Sequence, residues 1–215
     1  MLKVELIRNY NTERGFLGHD EQSFLAEVGP SDVVGEGGET VVFRPRNEPG
    51  IVYKAFRDRD KTWIPRGSMS SDERADALVY AGEIGIGPKA ERVGSLRIVK
   101  QPYRHGINRA SIKNSLLSGD DRAVERTLKE LKRYHDQGKT PGDANLTNIT
   151  DPSVVGYITF DGTKARADGK PGEYRSRDLD KLYREAEFYD VGNTFLKGVD
   201  KVYGAGVLEK LKEAA

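Results

Sequence analysis

The sequence predicts an α+β fold, with a β-rich first half that carries one helix and a second half that is mainly helical. Two observations predict it. Between Val33 and Phe56, apolar and β-branched residues alternate in short runs separated by turn residues. From Ser118 onward, apolar residues recur at helical spacing, as in "DDRAVERTLKELKRYHD".

The first 30 residues are mixed and polar; "VELIRNY" has the pattern of a strand and the rest reads as a loosely structured extension. A glycine bend, "GEGG" at 35–38, then leads into Val41-Val42-Phe43, a turn rich in Pro, Asn and Gly, and "IVYKAF" at 51–56, a β-hairpin. Arg57 to Ser71 reads as loop, with Pro65-Arg66-Gly67 as a turn. Ser71 is placed to cap a helix whose first turn holds Asp72 and Glu73, whose apolar face is Ala77, Leu78 and Ala81, and which "GIGPK" ends. "ERVGSLRIVKQPY" reads as two short strands around Gly94-Ser95. The clearest helix follows, with Ser118 and Asp121 at capping-box spacing, Val124, Leu128, Leu131 and Tyr134 or His135 on one face, and Gly138 as its stop. "TPGDANLTNIT" is a loop, "VVGYITFDG" a strand running into a loop, and Asp178 to Ala215 two helices around Gly192 or Gly198. The expected units are an extension over 1–30, a β-rich part over 31–103 and a helical part over 104–215. A cleft between two such parts suits a small molecule.

Composition bounds the chemistry. The chain has 215 residues, enough for a real core, and 35 Lys+Arg against 34 Asp+Glu. That balance gives no electrostatic footprint for nucleic acid or a membrane surface. There is no cysteine, so disulfides, thiolate metal sites and a cysteine nucleophile are excluded. His19, His105 and His135 have no metal-ligand spacing, no apolar run approaches a membrane span, and no signal peptide is evident at Met1.

Within this frame a few residues stand out. Gly35, Gly37 and Gly38 before a strand bring backbone N–H groups close to an anion, or simply make a hairpin bend. They do not form a Walker loop, because no Gly-Lys-Ser/Thr opens a helix after them. Lys54 sits in the middle of an apolar strand. It either points to solvent or directs its ammonium group at phosphates, and buried it needs a counter-ion. Glu73 is the candidate, with Asp76 on nearly the same helix face as the fallback. Asp143 and Asn148 stand five apart in "GDANLTN", and Asp161 follows in "ITFDG", 18 residues after Asp143 (143 to 161). Such residues make ordinary Asx turns. They also supply the oxygen ligands, one or two carboxylates and an amide, with which Mg²⁺ is held on phosphates.

The order is what stands out: glycine bend, strand lysine, helix acid, long helix, Asp-x-x-x-x-Asn, then Phe-Asp-Gly. Over residues 33 to 165 the chain resembles the protein kinases, with "GEGGETVV", "IVYK", "TPGDANLTN" and "FDG" in place of the glycine loop, the strand lysine, the catalytic loop and the metal-binding loop. It is most similar to the minimal type III effector protein kinases of the OspG/Hop type that bacteria inject into host cells, given the short stretch of about 50 residues after Asp161.

The resemblance implies a two-lobed minimal kinase fold, with ATP and Mg²⁺ as cofactors and transfer to a serine or threonine of a host protein. It implies secretion into the host cytosol, and a heat-shock chaperone or a ubiquitin-conjugating complex as partner. On it, Asp143 takes the acceptor's proton, Asn148 and Asp161 hold Mg²⁺, Lys54 grips the α- and β-phosphates and Glu73 positions Lys54. Gly35, Gly37, Gly38 and Val42 cover the nucleotide, and Gln101 to Tyr103 form the hinge beside adenine through backbone groups.

The chain departs from the kinase pattern in several places. Thr40 replaces a loop glycine and Pro141 the usual histidine, Asn145 stands where a phosphate-contacting lysine is common, "FDG" is permuted, and no Ala-Pro-Glu follows. Two other readings stay open: a small-molecule kinase of the aminoglycoside type, which shares "GD-x-x-x-x-N", and a kinase-shaped binding module. The polar segment "TKARADGKPGEYRSR" at 163–177 is expected to be mobile and to need no phosphorylation for activity.

Overall fold

The computed structural model describes residues 17–36, 39–57 and 69–207. It separates into two compact units. One comprises the chain up to Val79 together with Lys89–Tyr103, the other Tyr80–Pro88 together with the chain from Arg104 onward.

The first unit is built on an antiparallel sheet in the order β1 (Ser31–Glu36), β2 (Thr40–Pro45), β3 (Ile51–Phe56), β5 (Ile98–Pro102), β4 (Glu91–Arg92). Each face has its own cover. Leu25 and Phe24 of helix α1 (His19–Val28) pack with Val41, Phe43, Tyr53, Ala55 and Ile98 on one side. Ala75 and Leu78 of helix α2 (Ser71–Glu83) pack with Phe56 and Val99 on the other. The central strand β3 is therefore buried on both faces, which explains why "IVYKAF" reads as a nearly unbroken apolar run.

Helix α1 lies where the sequence suggests a loose extension. Its N-cap Gly18 offers no side-chain hydrogen bond, and only Glu21 and Leu25 are buried in it, so its local signal is weak. It is secured by a distant partner: Glu21 accepts from the backbone N–H and the guanidinium of Arg97 at 2.9–3.0 Å. Strand β1 was likewise not anticipated; "SDVVGE" has little β-propensity and is recruited by pairing with β2 across a bulge between Val33 and Gly35. "VELIRNY", the Pro65-Arg66-Gly67 turn and Gly37-Gly38 lie outside the described residues.

The second unit is helical. Its core joins α3 (Ile112–Ser118), α4 (Asp121–Asp136), α6 (Arg175–Phe188) and α7 (Gly192–Tyr203) around Leu116, Val124, Leu128, Leu131, Leu179, Leu182 and Phe195. The α4 apolar face falls where the spacing predicts it, and the last two helices divide at Gly192. Ser118, however, ends α3, and Asp120 caps α4 by accepting from Ala123 N–H at 3.0 Å. The expected strand "VVGYITF" is instead a single helical turn, α5 (Pro152–Val155), capped by Asp151, followed by an isolated antiparallel bridge between Ile149 and Thr159. Pro152 at the first helical position and the Asp151 cap outweigh the β-propensity of Val154 and Val155. Among the described residues no helix is long and apolar enough to cross a membrane.

Candidate active site

In the first unit, sheet register gathers the predicted residues. Gly35 pairs with Val42, Val42 with Lys54 and Lys54 with Val99, so these four form one row pointing to the α2 face. Lys54 is 7% exposed, which removes the reading in which it points to solvent. Val52 pairs with Gln101, placing Gln101 on the same face one step along. Gln101 is 6% exposed, and its Oε1 is buried without a hydrogen-bond partner. Tyr103, expected to present backbone groups to a base, donates its N–H to Gly50 O at 2.8 Å, and its ring packs 5.0 Å from the Arg44 guanidinium.

The expected ion pair between Lys54 and Glu73 is not formed. Ser70, not Ser71, caps α2. Glu73 Oε2 accepts from Ser70 N–H at 2.6 Å while Glu73 N–H donates to Ser70 Oγ at 3.2 Å, a reciprocal capping box. The Ser70 backbone N–H and hydroxyl hold the exposed Glu73 carboxyl below its usual range. The fallback Asp76 is also engaged: with Asp72 it grips Arg92. Ser71, freed from capping, is buried and donates from Oγ to Arg57 O at 2.7 Å.

The buried charged position on α2 is held by a cation, Arg74, paired with Glu39 at 3.3 Å. Beside it Arg57, fully buried at the end of β3, pairs with Glu36 and donates its backbone N–H to Glu39 O at 2.9 Å. Both glutamates flanking Gly37-Gly38 are thus tied to buried arginines. The sequence carries no signal for this, since Arg57 opens a charged stretch indistinguishable from loop.

In the second unit, the loop from Thr140 to Thr150 carries Asp143 and Asn148. It enters through Gly142, whose φ of +74° and approach to Lys164 O (a Cβ would lie 1.7 Å away) admit only glycine. Gly142 N–H donates to Thr140 Oγ1 at 2.9 Å, and Thr140 Oγ1 donates to the buried Asp178 carboxylate. Asp178 also accepts from His135 Nε2 at 3.2 Å. That fixes the tautomer, leaving His135 Nδ1 to accept from Tyr203 OH at 3.1 Å. Burial pushes the Tyr203 phenol well above its ordinary range, so it remains the donor.

Asn145 does not reach outward. Its Oδ1 accepts from Thr147 N–H, Thr147 Oγ1 and Asn148 N–H at 2.7–3.1 Å, an Asx turn that shapes the loop. Helix α6 grips the loop from outside: Glu185 Oε2 accepts Leu146 N–H at 2.6 Å, and Lys181 Nζ pairs with Asp143 Oδ1. Asp178, Lys181 and Glu185 are spaced i, i+3, i+7 and share one helix stripe. Sequence reasoning missed all three, because α6 is charged at most of its positions and the stripe does not stand out.

The Ile149–Thr159 bridge, extended by Thr150 N–H to Ile158 O at 2.8 Å, places Asn148 and Asp161 at the same end of a paired segment. Asp161 is half-buried, and its backbone N–H donates to Thr159 Oγ1 at 3.2 Å. Gly162 follows because a Cβ there would lie 2.2 Å from the Ala81 Cβ. Among the described residues no three His, Cys, Asp or Glu side chains gather as a metal cluster. Asn148 and Asp161 do fit Mg²⁺, a hard cation that takes one or two protein oxygens and completes its shell with phosphate and water.

No protein-family model matches this chain, and no curated protein matches it. Solved structures do. A choline/ethanolamine kinase family protein from Mesorhizobium loti superposes with a TM-score of 0.54 at 13% identity, over 81% of this chain and 71% of that one. The fold is protein-kinase-like. Rio2 kinase from Chaetomium thermophilum, solved as an ADP/Mg²⁺-phosphoaspartate complex, gives 0.49 at 15% identity over 91% of this chain and 72% of that one. Macrolide 2'-phosphotransferase MphH from Brachybacterium faecium gives 0.39 at 12% identity over 89% of this chain and 86% of that one.

Proposed function

We propose that this kinase-like chain is a phosphotransferase that moves the γ-phosphoryl group of ATP to a serine or threonine hydroxyl of a protein. The observation that carries the reading is the loop 140–150. It is fastened through Thr140 and Leu146, it presents Asp143 and Asn148, and the Ile149–Thr159 bridge sets Asp161 at Asn148's end.

In the reaction the acceptor oxygen bonds to the γ-phosphorus as the bond to the β–γ bridging oxygen breaks, and ADP leaves. Asp143 orients the hydroxyl and receives its proton late in the step. On the kinase resemblance Lys54, buried in β3 in one row with Val42 and Gly35, would place a positive charge on the α- and β-phosphates. Asn148 and Asp161 would hold Mg²⁺, which when bound neutralises phosphate charge. Gln101, on the same sheet face as Lys54, belongs to the stretch that the resemblance sets beside the base through its backbone. Most of the rate enhancement then comes from positioning and charge neutralisation.

The host-protein acceptor and delivery into a host cell follow the resemblance to the effector kinases. Incubation with [γ-³²P]ATP, Mg²⁺ and a host-cell lysate, beside choline and an aminoglycoside as small hydroxyl acceptors, tests the reading. Label is expected on serine or threonine of a protein. Label on a small acceptor alone replaces the protein substrate, and no label anywhere removes the phosphotransfer reading.

A further inference from the structure

We propose that Lys181 is a catalytic residue whose ammonium group bridges Asp143 and the phosphoryl group in transfer. The inference rests on the phosphotransfer reading. Its starting point is the ion pair between Lys181 Nζ and Asp143 Oδ1, made from a helix that begins more than 30 residues after the loop's aspartate.

A carboxylate that must accept a proton beside a triphosphate faces a like-charge problem, since its own negative charge repels the group it serves. A cation touching that carboxylate relieves the repulsion, and loop 140–150 brings none. Its polar position two residues after Asp143, Asn145, is consumed by the Asx turn. The charge comes from α6 instead.

A purely structural role accounts poorly for this lysine. The loop is already fastened to α6 at two points, by Asp178 and Arg177 through Thr140 Oγ1 and by Glu185 through Leu146 N–H. Glu185, four residues on and the natural intrahelical partner for Lys181, is turned to the loop backbone. Side-chain exposures of 48% for Lys181 and 28% for Asp143 leave the pair open on one side, and an ion pair so exposed adds little stability. An ammonium group has three donors; one serves Asp143, and the others remain for phosphoryl oxygens.

The test compares Lys181→Met and Lys181→Arg with the unaltered chain. The readouts are ATP turnover, the affinity for ADP with Mg²⁺, and the affinity for ADP with Mg²⁺ and aluminium fluoride, which mimics the phosphoryl in flight. Lys181→Met is expected to lower kcat by about 100-fold while KM for ATP and ADP affinity stay within about threefold. It is expected to weaken the aluminium fluoride complex at least about tenfold more than the ADP complex, and Lys181→Arg is expected to restore most of the loss. The inference is overturned if Lys181→Met keeps more than about a third of kcat, or if both complexes weaken in the same proportion, the mark of a merely structural contact. An unaltered chain that binds neither complex and turns over no ATP overturns the phosphotransfer reading, and this inference with it.

Discussion

Asp161 and Glu73 are two acids of the kinase-like motif order, and their surroundings differ. The Asp161 side chain is half-buried at the end of a paired segment, while Glu73 is exposed and already bonded to the Ser70 N–H. Asp161→Asn removes the charge a divalent cation needs, and transfer is expected to fall by well over tenfold, more than about 1.4 kcal/mol of barrier, with the circular dichroism spectrum unchanged. Glu73→Ala removes a cap and not a catalytic contact. It is expected to lower the melting temperature while kcat/KM stays within about twofold of the unaltered chain. A loss of activity without loss of stability would return Glu73 to the site. The sequence could not separate these roles. A helix acid three residues after a serine matches both a capping box and a lysine partner, and only the position of the cap, Ser70 in place of Ser71, decides between them.

At the scale of elements, what was legible was local. Strands β2 and β3, helix α2 and helix α4 follow their own hydrophobic periods, and each forms where its pattern says. What was missed depends on partners far along the chain. Helix α1 is docked by Glu21 on Arg97, 76 residues away. Glu21 is 4% exposed at its side chain, so Arg97→Leu strands a buried carboxylate and is expected to cost about 3 kcal/mol in urea unfolding. The segment 163–177 was expected to be mobile on composition, yet it is pinned. Thr140 and Arg166 form a backbone bridge, Gly169 N–H donates to Gly138 O at 3.1 Å, and Asp168 accepts from Arg166 and from Tyr174 OH.

The Arg166 and Tyr174 hydrogen bonds lower the Asp168 carboxyl from its ordinary 3.8 to about 2. A depressed carboxylate adds its stability fully above its unfolded pKa and loses it as the pH falls through the folded value. This brace is therefore expected to hold at pH 4 and to let go as the pH approaches about 2. A ¹³C carboxyl titration checks it, and Tyr174→Phe should move the Asp168 midpoint upward.

For the molecule as a whole, that pinned segment bears on regulation. Of its three hydroxyls, Thr163 and Tyr174 belong to buried side chains and Tyr174 OH is already bonded to Asp168; Ser176 alone is exposed. A segment held this way has no need of a phosphate to order it. The phosphatase-treated protein, shown by intact mass to carry no phosphate, is expected to label its acceptor at full initial rate. A lag that vanishes after preincubation with ATP would show that self-phosphorylation switches it on. The order of motifs along the chain pointed to the kinase-like fold because that order is set by topology. The charges that brace those motifs, Arg57, Arg74, Asp178 and Glu185, were invisible because nothing local distinguishes them from solvated surface.

The stripe on α6 also sets which lengths of this chain are permissible. Asp178, Lys181 and Glu185 meet Thr140, Asp143 and Leu146 in matching order, so the helix and the loop are read against each other like the teeth of a rack and pinion. Each residue of an α-helix advances the face by about 100°. One residue inserted after Leu182 would carry Glu185 off the loop while leaving Asp178 and Lys181 engaged, and one deleted before Lys181 would do the reverse. Point substitutions on the outer face of α6 leave this gearing intact. Over evolutionary time, relatives of this protein should vary freely in composition along that face and hardly at all in the number of residues between Asp178 and Glu185.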